Sequence, residues 1–220
     1  MLLQASTAAA ANTASHNLWD LILDGGFLMI PLALLLLLSI YIFTERCIVI
    51  ARAVKIDPTL MKRVRENVTE GDIESAKRYC KRQDTVYSRL IDKGLSRLGR
   101  SSQEVMATLD NSGNLEISHL GKGLAWLSTT AGAAPMIGFL GTVVGMMEAF
   151  WAMADSGSAV SIASLGSGIS LALVTTVAGL VVGILALFAY NYLTSRLNKV
   201  MTNMEAQAMD FMDLLNEPSA

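Results

Sequence analysis

An all-α membrane protein with three crossings is predicted from two observations: three long uncharged apolar runs, and the confinement of every lysine and arginine to two windows. Gly25 to Phe43 is an uncharged run of 19 residues, Gly123 to Met147 one of 25, and Ser156 to Ser195 one of 40. A helix needs about 20 apolar residues to cross a bilayer core, so each run suffices. Fifteen of the 17 basic residues lie between Arg46 and Lys122, and the other two are Arg196 and Lys199. Short basic segments stay on the cytoplasmic side. The N-terminus is therefore expected outside, and the central segment and the C-terminus inside. The predicted fold is a three-span helical protein whose long helices extend into a cytoplasmic helical bundle.

Residues 1–24 form the expected outer tail. They have no basic n-region and only a weak apolar stretch, so a cleavable signal peptide is not expected. His16 falls in this tail and reads as solvated. The first span, 25–44, is mostly leucine and isoleucine around a single proline, Pro31, and reads as a peripheral, lipid-facing helix.

Residues 45–122 form the cytoplasmic helical domain. The formal net charge of −2 conceals a basic excess here, 15 cations against 10 carboxylates between positions 46 and 122. With no nucleic-acid motif, this reads as a solvated segment beside anionic lipid. Asp57-Pro58 predicts a helix start, Glu70-Gly71-Asp72 a break, and Ala76, Tyr79 and Cys80 followed by Val86, Leu90, Ile91, Leu95 and Leu98 an apolar helical face. Ser101-Ser102-Gln103-Glu104 resembles a capping box, opening a helix expected to run into the second span without a stop. Cys47 and Cys80 lack CxxC or Cys/His spacing, so neither disulfide nor metal site is expected. No residue in this window is assigned a chemical role.

The second span, 123–153, and the third, 161–194, are joined by a periplasmic loop, 154–160, at Asp155-Ser156-Gly157-Ser158. The 40-residue run would reach about 60 Å as one helix, twice the hydrocarbon thickness. Its end must project into the cytoplasm, or its start must form a loop; residues 195–220 are the cytoplasmic tail. Small residues recur every three or four positions at Ala134, Gly138, Gly141 and Gly145, and again at Gly168, Ala172, Gly179 and Gly183. Such faces let helix backbones approach closely, which accounts for most of the glycines. Thr142, Thr175 and Thr176 lie on these faces at membrane depth. Each could bond its own preceding carbonyl, or its oxygen could coordinate a hard cation or a file of water. Glu148 reads as an interfacial carboxylate at the outer mouth, and His119, just inside the second span, as solvated. The spans carry no mid-depth titratable side chain, so a proton carrier would need a carboxylate from another chain. Nothing here supports an enzyme: no nucleophile–base pair, metal spacing or phosphate loop occurs, and no cofactor is expected.

Residues 134–147, APMIGFLGTVVGMM, resemble the second-span signature of the MotA/TolQ/ExbB family, and residues 168–180, GISLALVTTVAGL, its third-span signature. The resemblance covers roughly residues 18–200, and three spans with a large insertion after the first fit its ExbB and TolQ branches. It implies a homopentamer in the bacterial inner membrane, surrounding helices of a dimeric ExbD- or TolR-like protein that carries an essential membrane aspartate. Ion flow would drive movement that energises a TonB-like protein and outer-membrane transport, or the Tol envelope system. By position Thr142 and Thr176 match the family's pore-lining threonines; with Thr175 and Ser170 they complete the expected ion pathway. Where proton-driven members usually carry a glutamate, five residues before the threonine, this chain has Leu171. Protons remain the expected ion and sodium the rival; a passive membrane scaffold is the alternative outside the motor class.

Overall fold

The computed structural model describes residues 26–54, 57–155 and 162–216. The expected outer tail and most of the 154–160 loop lie outside them. Seven helices are described: α1 Met29–Ala53, α2 Thr59–Thr69, α3 Ile73–Gln83, α4 Val86–Leu95, α5 Ser102–Leu120, α6 Leu124–Asp155 and α7 Ile162–Asn216. No strand occurs among the described residues. Three helical stretches are long and apolar enough to cross a membrane, Met29–Ala53, Leu124–Ala154 and Gly166–Asn216, and the protein is an all-α, multi-pass membrane protein.

Helix boundaries follow local chemistry. Before α2, the Asp57 carboxylate accepts from the Thr59 backbone N–H at 2.8 Å and the Thr59 hydroxyl at 2.7 Å. Gly71, at φ +78°, ends the turn after α2, and Asp72 caps α3 by accepting from the Ser75 N–H at 3.0 Å. Asp84 closes α3 in the left-handed region, φ 43°. Thr85 and Ser88 then form a reciprocal capping box at the start of α4. Ser101 caps α5, accepting from the Glu104 N–H at 3.3 Å.

One sequence expectation is corrected. The helix opened at Ser101 does not run on into the second span: α5 stops at Leu120 and α6 starts at Leu124. Gly123 takes φ +85°, a conformation that breaks helical continuity and that glycine adopts without steric cost. The Gly121-Lys122-Gly123 sequence is the stop signal. At the other end of the chain, α7 passes Ser195 unbroken; its 55 residues measure about 80 Å, far more than a bilayer core.

The chain divides into two compact units. The first holds the described residues up to Leu38 with those from Thr129 to Ala186. Its side-chain cluster is small: Leu32, Ala134 and Val182, flanked by Met29, Leu35, Leu36, Ile137 and Ala178. The second holds Ser39–Ser128 and the described residues from Leu187 onward. Its core is much larger, built around Tyr87, Leu90, Ile91, Leu95, Leu109, Met204 and Phe211.

Candidate functional site

Within the first unit, α6 and α7 are held together by their backbones. A Cβ on Gly145 would lie 2.6 Å from the Gly168 carbonyl oxygen, and one on Gly168 equally close to the Gly145 carbonyl oxygen. Further along, a Cβ on Gly179 would meet the Ala134 carbonyl oxygen at 2.6 Å, and one on Gly138 the Thr175 carbonyl oxygen at 3.0 Å. Rising numbers on α6 face falling numbers on α7, so the helices are antiparallel. No side chain fits where backbone faces backbone, and the small-residue spacing exists to allow that approach. Pro135, inside α6, lies against Gly183, where a Cβ would come within 2.6 Å of the proline ring. The expected packing glycines, Gly138, Gly141, Gly145, Gly168, Gly179 and Gly183, are all buried in this seam.

The three threonines divide according to their place in the seam. Thr175 is fully buried against Gly141, and its hydroxyl donates to the carbonyls of Leu171, at 2.9 Å, and Ala172, at 3.1 Å. Thr176 is half-buried and reaches two carbonyls, Ala172 of its own helix at 2.9 Å and Gly138 of α6 at 3.2 Å. The second bond crosses between the helices within the glycine seam. Thr142 is also half-buried, and its hydroxyl donates to the Phe139 carbonyl at 2.6 Å. A hydroxyl has one hydrogen and two lone pairs, so donation to a carbonyl leaves the oxygen able to accept from water or to coordinate a cation. Thr142 and Thr176 are residues partly exposed at the edge of the seam; Thr175 is enclosed by it.

Ser170 and Glu148 are exposed on α7 and α6. Leu171 is half-buried, and its side chain lies 3.2 Å from where a Gly26 Cβ would be. The position is thus filled by packed hydrocarbon. A fourth hydroxyl, Thr130 of α6, is buried as deeply as Thr175. The sequence reading passed over it, although it sits four residues before Ala134 and so continues the same helix face. Around the seam the outer surfaces are apolar, with Phe139, Val143, Phe150 and Trp151 exposed on α6 and Leu173, Val177 and Ile184 on α7.

Together these features define a polytopic membrane protein built on a glycine-lined helix pair that carries hydroxyls and no mid-depth charge. The chain belongs to the MotA/TolQ/ExbB proton channel family, whose family model matches residues 82–206. An ExbB homolog named for biopolymer transport in Methanothermobacter thermautotrophicus is 30% identical over 148 residues, 67% of this chain and 52% of that protein. An ExbB-like biopolymer transport protein of Synechocystis is 26% identical over 201 residues, covering 90% of this chain and 76% of its own length. The Tol-Pal system protein TolQ of Haemophilus influenzae is 39% identical over 87 residues, 40% of this chain and 38% of that protein. The chain therefore spans about half of the first relative and three quarters of the second.

Proposed function

We propose that this protein is the ion-conducting motor subunit of an ExbB-like complex. In that complex it uses the proton gradient, together with an ExbD-like membrane partner, to energise a TonB-like protein for outer-membrane transport. The observation that carries the proposal is the pair of half-buried hydroxyls, Thr142 and Thr176, on a seam otherwise built of glycine, alanine, apolar side chains and the enclosed hydroxyls of Thr130 and Thr175. Valine there would keep the shape of the seam and give up, between the helices, only the Thr176–Gly138 bond. Leaving hydroxyls at membrane depth gives a conduit its polar lining. Leu171 in place of a carboxylate leaves the spans without a proton carrier of their own, so the titratable group is assigned to the partner. The apolar outer faces of α6 and α7 suit lipid and neighbouring copies, in line with a homopentamer in the inner membrane. Basic residues confined to the central and C-terminal segments favour a cytoplasmic position for those segments and a periplasmic N-terminus.

Sodium is the second candidate ion, favoured by the hydroxyl cluster and by the missing carboxylate. Liposomes holding the protein with its ExbD-like neighbour, loaded with proton- and sodium-sensitive dyes in parallel, separate the readings. A proton signal supports the proposal as stated. A sodium-only signal replaces the ion, and silence from an intact complex leaves only a scaffold.

A further inference from the structure

The second unit contains a charged cleft that ion conduction does not use. It lies between α2 and α3 and measures about 500 Å³. Arg63, Glu66 and Asn67 line it from α2, and Ser75, Arg78, Tyr79, Lys81 and Arg82 from α3. The spacing explains the convergence: 63, 66 and 67 share one face of α2, and 75, 78, 79 and 82 share one face of α3. The cleft thus gathers four cations against a single carboxylate. Of the other described cations in this unit, Arg46, Lys77, Arg89 and Arg100 are paired with carboxylates, whereas Lys62, Lys93 and Arg97 have none within salt-bridge distance. None of the four cleft cations has a carboxylate within salt-bridge distance among the described residues.

Two of the four are already held in place. The Arg63 guanidinium stacks over the Tyr79 ring, 5.4 Å from its centroid. Arg78 donates to the Ser75 hydroxyl at 2.7 Å, and that hydroxyl donates in turn to Asp72 at 2.6 Å. Two carboxylates at the rim offset part of this charge: Asp72 caps α3 and attracts Arg78, and Asp57 accepts from Thr59, Tyr79 and Gln83 and attracts Arg63. Like charges crowded into one cleft repel and destabilise the fold unless an anion joins them. Guanidinium forks match phosphate oxygens in pairs, and with Asp57 and Asp72 counted beside Glu66 the four cations still outnumber the carboxylates. A volume of about 500 Å³ also suits a small ligand rather than a flat macromolecular contact.

We infer that the cleft between α2 and α3 binds a compact phosphate-bearing anion, with Arg63, Arg78, Lys81 and Arg82 as its ligands. The phosphate could be free in solution or belong to a lipid headgroup, and one experiment distinguishes the two. The full-length protein in a maltoside detergent is titrated with inorganic pyrophosphate by calorimetry. In parallel it is reconstituted into nanodiscs of phosphatidylcholine with or without phosphatidylglycerol, and its thermal unfolding is followed. The same is done for Arg78→Gln/Arg82→Gln, for Arg78→Lys/Arg82→Lys, and for the control Arg97→Gln, outside the cleft.

Saturable pyrophosphate binding, weakened at least tenfold in the glutamine variant, kept in large part by the lysine variant and unchanged in the control, supports a soluble ligand. Stabilisation by phosphatidylglycerol alone, lost in the same variant, supports a lipid headgroup. Circular dichroism checks that helix content is unchanged in each variant. No saturable effect from either source overturns the inference. So does an effect equal in the glutamine variant and the control, which is general charge attraction.

Discussion

The two units are packed by opposite means. In the first, glycines bring backbone onto backbone, and only a handful of side chains are buried. In the second, large side chains interlock around Tyr87 and Phe211, as in a water-soluble domain. The difference follows from the solvent. In lipid, burying hydrocarbon gains nothing over leaving it in contact with acyl chains, so close van der Waals contact and hydrogen bonds must hold helices together. In water, apolar burial is the main driving force. A seam made of backbone has little room for adjustment, which makes it a good place to fix a hydroxyl. A core made of side chains can yield.

Phe211→Ala should show the side-chain logic most strongly. The ring is fully buried, and its removal should cost about 4 kcal/mol in the second unit. Denaturant unfolding followed by Trp126 fluorescence would miss a local effect, so hydrogen exchange of α4 and α5 is the better readout. Next comes Gly168→Ala. Its new methyl would sit against the Gly145 carbonyl oxygen and the Ala149 Cβ and N, so the helices must separate, at about 3 kcal/mol. Loss of thermal stability in detergent measures it. Gly94→Ala sharpens the comparison, because its methyl would meet the Phe211 ring at 2.7 Å rather than a backbone. The ring can turn, so about 1 kcal/mol is expected; a cost equal to that of Gly168→Ala would erase the distinction between the units.

The mildest probe is Cys80, which is buried in the second unit. Burial, aided by Asp92, pushes its thiol from an ordinary value near 9 up to about 11. The folded chain therefore keeps the proton that the unfolded chain loses, which costs the fold nothing below pH 9 and destabilises it above. As pH rises from about 9 to about 11 stability should fall, because the unfolded state gains by ionising. Maleimide labelling at pH 8 should accordingly be slow at Cys80 until denaturant is added.

The three spans and the glycine faces were legible because hydropathy and small-residue spacing report directly on lipid and on backbone approach. The break after Gly71 and the cap at Ser101 were legible from glycine and capping chemistry. The stop at Gly121-Lys122-Gly123 was missed because glycines adjoining an apolar run read as part of the span, whereas a positive φ belongs to tertiary context. Thr175 and Thr176 are neighbours in sequence, and spacing alone did not separate them, although the resemblance matched Thr176 to a pore-lining position. Only packing shows that one faces Gly141 within the seam while the other bonds across to Gly138. The α2–α3 cleft escaped for a similar reason. Its cations come from two helices, and sequence alone makes each of them a solvated surface charge.

Ion flux through the complex proposed above, of this protein with an ExbD-like partner, compared between the native chain and Thr176→Val, would decide whether the seam hydroxyls conduct or only pack. Valine keeps the shape and removes the oxygen, so the complex should assemble to the same mass while flux falls at least tenfold. An intact Thr176→Val complex with native flux would contradict the proposal and leave the threonines as packing residues.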